Sequence, residues 1–178
     1  INEIDHFQEI NWPDASHLRY TFMIHELIRG YELVDSQNDQ AQLEFGEKCL
    51  DCAYQILKQT IAANDLIENN GIQFHITAGA CIALETSNEE TLKQAQKQGY
   101  LLVLRKDPEK GHIRIKIRPD ASFNLKPLYQ AIKEIDESGS WFYHPGGKML
   151  LNGSLKHRNQ TPSALSLQDV IKLIKRIY

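Results

Sequence analysis

The sequence has no long hydrophobic run and few cysteines. No apolar stretch approaches the roughly 20 residues that a helix needs to span a bilayer, and acidic residues stand where a signal peptide would carry basic ones. The three cysteines are an odd and small set, which argues against a disulfide framework and favours a reducing compartment. The sequence therefore predicts a cytoplasmic protein. Its first residue is Ile1 rather than Met, so upstream sequence has to be considered.

A strong net charge is also missing. The formal net charge is -3, so the chain as a whole has no attraction to nucleic acid, and any anion site has to be local. What is present is an ordinary globular composition, with 42% hydrophobic and 24% charged residues. The length of 178 residues suffices for one domain, or for two small lobes, around a hydrophobic core.

Cys49 and Cys52 form a C-x-x-C motif, a spacing that zinc and redox sites use. The sequence has no second C-x-x-C and no nearby H-x3-H to complete a zinc site. Both cysteines fall on the apolar stripe of a predicted helix, and free cysteine is often buried. We therefore expect two small core residues rather than metal ligands.

The N-terminal segment 1–70 has the periodicity of two helices. Residues 12–14, Trp-Pro-Asp, are a stop-and-cap signal, and apolar residues recur at helical spacing over about 15–34. A second helix is predicted over about 41–66, with apolar stripes on two sides, so it should be packed on two sides. The two helices are expected to form an antiparallel hairpin.

The segment 71–178 changes to strands and shorter helices. The run 100–104 is continuously apolar, and 112–118 alternates strictly between isoleucine and basic residues, which together predict an antiparallel β-hairpin. A capping box at Ser166 and Asp169 predicts the start of the last helix. Other elements are predicted as strands near 72–77, 79–84, 141–144 and 149–151, and as helices near 89–98 and 128–135.

These patterns predict an α+β fold. It would consist of an N-terminal helical hairpin, 1–70, followed by a mixed, largely antiparallel sheet with helices packed on it, 71–178. The second segment would form a substrate-binding lobe, although the two segments could also make one continuous domain.

Residues 144–154, His-Pro-Gly-Gly-Lys-Met-Leu-Leu-Asn-Gly-Ser, are the strongest candidate site. Glycine lets backbone N–H groups approach a ligand closely, and successive free N–H groups can form an anion-binding nest. The spacing is not that of a P-loop, so no triphosphate site is predicted. The alternative is a tight hairpin whose glycines serve only its geometry. The candidate binding residues are His144, Gly146, Gly147, Lys148, Asn152, Gly153, Ser154 and Arg158.

A second candidate is the basic row of Arg114, Lys116 and Arg118. Residues two apart on a strand are about 6.6 Å apart, close to the spacing of successive phosphates. The alternative is that these side chains simply solvate one face of a sheet.

Candidate metal ligands are sparse. Asp5, His6, Asp14 and His17 are of metal-binding types, but the chain holds no H-E-x-x-H, D-H-H or H-x-D motif. Acidic and imidazole groups near the start of a chain are usually solvated.

The order of several features resembles that of a known family. The opening segment 1–5, Ile-Asn-Glu-Ile-Asp, is followed by the hairpin 100–118, by the run 141–147 and by Asn-Gly-Ser before a final helix. This order resembles the C-terminal half of the Myg-type proteins, which are melanocyte-proliferating-gene-like hydrolases related to the DHH phosphoesterase superfamily. The glycine-rich hairpin before the last helix also looks like a DHH-associated substrate domain.

The resemblance implies cleavage of phosphodiesters in RNA or short nucleotides with Mn2+ or Mg2+. The DHH-like half, which carries the metals in that family, has no counterpart in this sequence. His144 and Gly147 match family positions, which implies substrate contact. Asp5 matches the first aspartate of the family's Asp-x-x-Asp element, but Gln8 replaces the second, which weakens a metal role there.

Three functional hypotheses follow. The first is the substrate-binding portion of a DHH-type phosphoesterase, whose metals would lie on a missing N-terminal half or a partner chain, with a homodimer as one arrangement. The second is a non-catalytic regulatory module that binds a nucleotide or a protein. The third is a self-contained hydrolase that uses Asp5, Asp14, His17 and His144.

Overall fold

The structure is a computed structural model that describes residues 4, 6–153 and 159–178. The chain divides into two compact units, Ile1–Leu57 and Lys58–Tyr178. None of the helices in the described residues combines the length and the apolarity that crossing a membrane requires.

The first unit is helical. Its elements are two 3-10 helices, Gln8–Asn11 and Leu18–Phe22, then α1, Ile24–Val34, and the first part of α2, Asp39–Asn70. The rings of Tyr31 on α1 and Phe45 on α2 stack with centroids 5.3 Å apart. This contact agrees with the predicted pairing of two helices.

The single helix predicted over 15–34 is wrong, because Met23 is extended and separates the second 3-10 helix from α1. Side-chain hydrogen bonds explain the break. The Tyr20 hydroxyl and the Arg19 guanidinium both donate to the Pro13 carbonyl, each at 2.6 Å. These bonds hold a tight turn that competes with a continuous α-helix.

The described residues of the first unit include no buried side chain. Leu43, Leu50 and Tyr54 of α2 are all more than half exposed. The prediction that α2 is packed on two sides is therefore wrong within this unit. The prediction of two core cysteines is wrong as well, because Cys52 is exposed and Cys49 is only half-buried.

The second unit contains a six-stranded sheet in the order β1-β2-β3-β4-β6-β5. Among the strands of the described residues, only β2 and β3 pair in parallel, and they are joined through a helix; the other neighbouring pairs are antiparallel. The predicted α+β class with a mixed, largely antiparallel sheet is confirmed. The elements are β1 Ile72–Ile76, β2 Gly79–Glu85, α3 Glu90–Lys97, β3 Leu102–Lys106, β4 Ile113–Ile117, α4 Lys126–Ile135, β5 Trp141–Tyr143, β6 Met149–Asn152 and α5 Leu167–Ile177.

One face of the sheet forms the larger core. Alternate residues of every strand point to α4 and α5, as in β4, where Ile113, Ile115 and Ile117 are buried. On α5 the buried face contains Val170 and Ile174. The alternation in the sequence of β4 therefore arises because one face of the strand is covered by helices and the other is not. The predicted β3–β4 hairpin is confirmed.

The other face is covered only in part. Ile82, Leu84 and Val103 pack with Ile67 of α2 and with α3 in a smaller core. Further along the same face, β4, β6 and β5 present side chains that remain partly open to solvent, and Phe142 is 46% exposed. This partly open surface positions the basic residues described next.

Candidate functional site

The glycine-rich segment forms the turn between β5 and β6. The Gly147 N–H donates to the His144 carbonyl at 2.8 Å, and the Gly146 N–H donates to Nδ1 of His144 at 3.1 Å. Gly147 has a φ of 71° and is buried, and a Cβ there would lie 3.0 Å from the Tyr143 hydroxyl, so glycine is required. Both amides are thus used within the turn, whereas the His144 side chain is exposed.

Lys148 is held by the protein itself. Its Nζ donates to the carbonyls of Ala121 and Phe123 at 2.6 and 2.8 Å. These bonds satisfy two loop carbonyls ahead of α4, and they give Lys148 a structural role in addition to the binding role predicted for it.

Asn152 and Gly153 lie at the other end of β6. Asn152 is fully buried; its amide donates to the carbonyls of Ser140 and Thr161, and its oxygen accepts from the Ser163 N–H at 2.7 Å. Gly153 has a φ of 79° and packs against the ring of His112. Because β6 separates them, Gly147 and Gly153 do not converge on one point. The predicted residues Ser154, Arg158 and Asp5 lie outside the described residues.

The structure places two members of the predicted basic row, Arg114 and Lys116, next to side chains of neighbouring strands. In the sheet register Arg105 of β3 faces Arg114 of β4, Arg114 faces Leu151 of β6, and Leu151 faces Phe142 of β5. Directly opposed residues share a face. Four side chains from four strands therefore form one row across the partly open surface, which we call the Arg–Phe row. Lys116 lies beside it on the same face.

Two arginines directly opposite each other should repel, and a carboxylate offsets that repulsion. Oε2 of Glu89, at the start of α3, lies 2.8 Å from Nη1 of Arg114, and its Oε1 lies 3.6 Å from Nη2 of Arg105. Asp107 is farther away, with an oxygen 4.0 Å from Nη1 of Arg105. Burial lowers the pKa of the Arg105 guanidinium, which Glu89 partly counteracts, but arginine stays protonated near neutral pH.

Arg118, the third member of the predicted basic row, is paired elsewhere. Its guanidinium binds the Asp120 carboxylate through two hydrogen bonds, from Nε at 3.0 Å and from Nη2 at 2.5 Å. This bond holds the pKa of Asp120 below its usual value and raises that of Arg118. Arg114 and Lys116 are thus the members of the row that share the face of β4.

The described residues contain no group of three or more His, Cys, Asp or Glu side chains that could hold a metal ion. His17 accepts a hydrogen bond from the Arg19 N–H, and Asp14 makes a long ion pair with Arg19 at 3.4 Å. Asp14, His17 and His144 of the self-contained hydrolase hypothesis are therefore not gathered into a metal site among the described residues, and Asp5 lies outside those residues.

No protein-family model matches the chain, and no curated protein sequence matches it either. The family resemblance of the sequence thus stays a prediction.

The sequence contains a signal for Arg105, which is not among the predicted site residues. Once β3 and β4 are taken as a hairpin around residues 107–112, symmetry of the register places Arg105 opposite Arg114. Glu89 could not be found this way, because its approach to both arginines depends on where α3 packs on the sheet.

Proposed function

We propose that the second unit binds a nucleotide or a short single-stranded nucleic acid, as the substrate-binding portion of a phosphodiesterase. The observation that carries the proposal is the Arg–Phe row. An exposed aromatic ring can stack on a base, and the basic groups two strands away can hold phosphate.

Several features support this choice. Arg114 and Lys116 lie on a face that is partly open, whereas the three isoleucines of β4 are buried on the other face. His144 sits edge-on to Phe142 with ring centroids 6.4 Å apart and adds a polar, exposed group at the end of the row. Aromatic and cationic groups that share one face of a sheet suit single strands, whose bases are free to stack.

The resemblance of the sequence to the Myg-type proteins adds the reaction to this proposal. Mn2+ or Mg2+ would supply charge stabilisation for phosphodiester cleavage and would be held mainly outside this chain. The described residues would bind and orient the nucleotide. The sequence upstream of Ile1 is the direct check, since a D-H-H or H-x-D segment there supports a phosphoesterase.

Phe142 and Lys116 should both contribute to the binding of a short single-stranded RNA. Phe142→Ala should weaken binding of a fluorescein-labelled hexaribonucleotide by roughly 5- to 150-fold, the range of about 1–3 kcal/mol for one stacked base. Lys116→Ala should weaken binding and reduce the salt dependence of log K by about 0.7, the value for one phosphate contact on a single strand. Fluorescence anisotropy at several salt concentrations measures both.

Matched controls separate a local effect from a general one. Phe22→Ala removes another exposed phenylalanine, in the first unit. Lys172→Ala removes an exposed lysine on α5, which packs on the opposite face of the sheet. Both controls should bind like the unchanged protein. Equal affinity of Phe142→Ala, Lys116→Ala and the controls would refute the proposed surface.

A second candidate function, a non-catalytic module that binds a protein, is favoured by the first unit. An apolar groove of about 880 Å³ there is lined by residues that include Ile24, Ile28, Leu43 and Leu50. A contiguous apolar surface that is open to solvent can mark a protein-interaction site. An absence of hexaribonucleotide binding by the unchanged protein would favour this second function.

A further inference from the structure

Glu89 bridges the two arginines unequally. It makes a short contact with Arg114, but its nearest approach to Arg105, 3.6 Å, is longer than a hydrogen bond. One carboxylate has two oxygens and one negative charge. It therefore leaves part of the donor capacity of two guanidinium groups unused.

Arg105 has fewer hydrogen-bond acceptors around it than its guanidinium group can use. Its side chain is 2% exposed, and among the described residues its Nε has no hydrogen-bond partner. Its Nη1 donates to the Thr86 carbonyl at 3.0 Å. A buried guanidinium with an unsatisfied donor is costly, so an anion that could reach it would gain more than one that binds an exposed arginine.

The Glu89 side chain can leave without disturbing α3. Glu89 is 45% exposed and makes no capping hydrogen bond with its side chain. The start of α3 is held instead by Asn88, whose oxygen accepts from the Glu90 N–H at 2.9 Å and whose N–H donates to the Thr86 hydroxyl at 3.0 Å. Displacement of Glu89 thus costs its ion pairs but not the helix cap.

We propose that the position of the Glu89 carboxylate between Arg105 and Arg114 is an anion site, and that a phosphate group of the bound nucleotide takes it by displacing Glu89. This inference rests on the proposed function. A phosphate group carries at least as much negative charge as the carboxylate and more acceptor oxygens, and arginine pairs bind it with well-matched geometry. Glu89 acts as a built-in competitor that lowers the apparent affinity for phosphate.

The site lies in the Arg–Phe row. Arg114 is two strands from Phe142, which corresponds to about 10 Å between their backbones. A nucleotide could thus place its phosphate against the arginines while its base lies toward Phe142. The anion site deepens the proposed function by adding a specific phosphate position and a residue that controls access to it.

The test uses inorganic phosphate as the probe, in titration calorimetry with the full chain in a non-phosphate buffer. Glu89→Gln should bind phosphate on the order of tenfold more tightly than the unchanged protein, because the competing charge is gone. The double variant Glu89→Gln with Arg114→Gln should lose this increase in phosphate affinity, because Arg114 supplies one of the two guanidinium groups. The matched control is Glu90→Gln, which removes a neighbouring carboxylate that pairs with Lys93 instead. Thermal unfolding of each variant checks that it is folded.

The outcomes separate this inference from the proposed function. Tighter phosphate binding by Glu89→Gln but not by Glu90→Gln supports the anion site. Equal or weaker phosphate binding by a folded Glu89→Gln, or by Glu89→Ala if the glutamine variant does not fold, overturns it and makes the cluster a structural ion pair. Phe142→Ala should leave phosphate affinity unchanged while it weakens binding of the hexaribonucleotide. If Phe142→Ala instead binds the hexaribonucleotide as tightly as the unchanged protein, the proposed function is refuted while the anion site is not affected.

Discussion

At the scale of single residues, Asp136 stands out as a buried carboxylate that joins separate segments. It follows α4, is 4% exposed, and accepts hydrogen bonds from Nε1 of Trp141 at 2.8 Å and from the Ser163 hydroxyl at 2.6 Å. Asp136 therefore connects the end of α4 with β5 and with the segment that leads to α5.

Asp136→Ala should lower the free energy of unfolding by about 2–4 kcal/mol, because two buried donors would lose their acceptor and a small cavity would remain. Urea denaturation followed by circular dichroism measures the change. Asp120→Ala is the control, since Asp120 is exposed and forms a surface ion pair with Arg118, and it should change stability little. Equal effects of the two changes would show that the Asp136 contacts are not stabilising.

Some residues could be assigned from sequence and others could not. Ser166 was recognised as a cap because its partner lies three residues away. Asn152 was predicted to bind a ligand, yet the structure gives its amide three partners in the protein, all distant in sequence. Local spacing reveals local hydrogen bonds, whereas bonds formed by tertiary packing leave no periodic trace.

At the scale of elements, α5 shows how propensity and packing agree. The Ser166 hydroxyl accepts from the Asp169 N–H, and the Asp169 carboxylate accepts from the Ser166 N–H, both at 3.1 Å. The Ser166 hydroxyl and the Ser166 N–H both donate to the Asp169 carboxylate, and these two bonds hold the pKa of Asp169 below its usual value. The basic residues Lys175 and Arg176 lie in the last turn, where they offset the partial negative charge of the helix end.

Ser166→Ala should destabilise the protein by about 1 kcal/mol, because the first turn of α5 would lose an acceptor. Ser166→Asp should restore most of that stability, since aspartate is an equally good cap. Denaturation midpoints of the two variants measure the difference. If both variants unfold at the same midpoint, the capping box contributes nothing to the stability of α5.

Helices and strands could be predicted from the sequence where burial alone determined the pattern of apolar residues. The strands β1 and β4 were predicted from alternation and β3 from a continuous apolar run, and the ends of these strands differ from the prediction by no more than two residues. The helix α2 was predicted over 41–66 but extends over Asp39–Asn70, and the Asn38 side chain accepts from the Ala41 N–H at its start. The predicted helix over 15–34 failed because polar side chains around Pro13 favour a tighter turn.

At the scale of the whole molecule, burial of two weak acids makes the second unit sensitive to alkali. Burial raises the pKa of the Cys81 thiol from 9.0 to about 11 and that of the Tyr178 hydroxyl from 10.0 to about 12. Both groups are neutral when protonated. In the unfolded chain they lose their protons at lower pH than in the folded chain, so the unfolded state is favoured as pH rises.

The free energy of unfolding should therefore stay constant with respect to these groups below about pH 9 and fall as pH rises through about 11 and 12. Cys81→Ala should remove the first part of that fall, about 2 kcal/mol by pH 11. Urea denaturation at pH 7, 9, 10 and 10.5 measures the slopes. Parallel slopes for the variant and the unchanged protein would contradict a buried, neutral Cys81.

The division of the chain was harder to predict than its fold class. The sequence changes from helical periodicity to alternation at residue 71, yet the compact units divide at residue 57, within α2. The reason is that Ile67 belongs to the smaller core of the sheet. A helix can belong to two packing environments without any change in its own sequence pattern.

The edge of the sheet at β5 has a consequence for solubility. Within the described residues β5 is the outermost strand at one end, and it has three residues. His144 and Pro145 follow it directly, and proline cannot donate to a further strand. The exposed edge of β5 is therefore too short to pair extensively with a strand of a neighbouring molecule. The exposed Phe142 can face water without turning the sheet into a nucleus for aggregation.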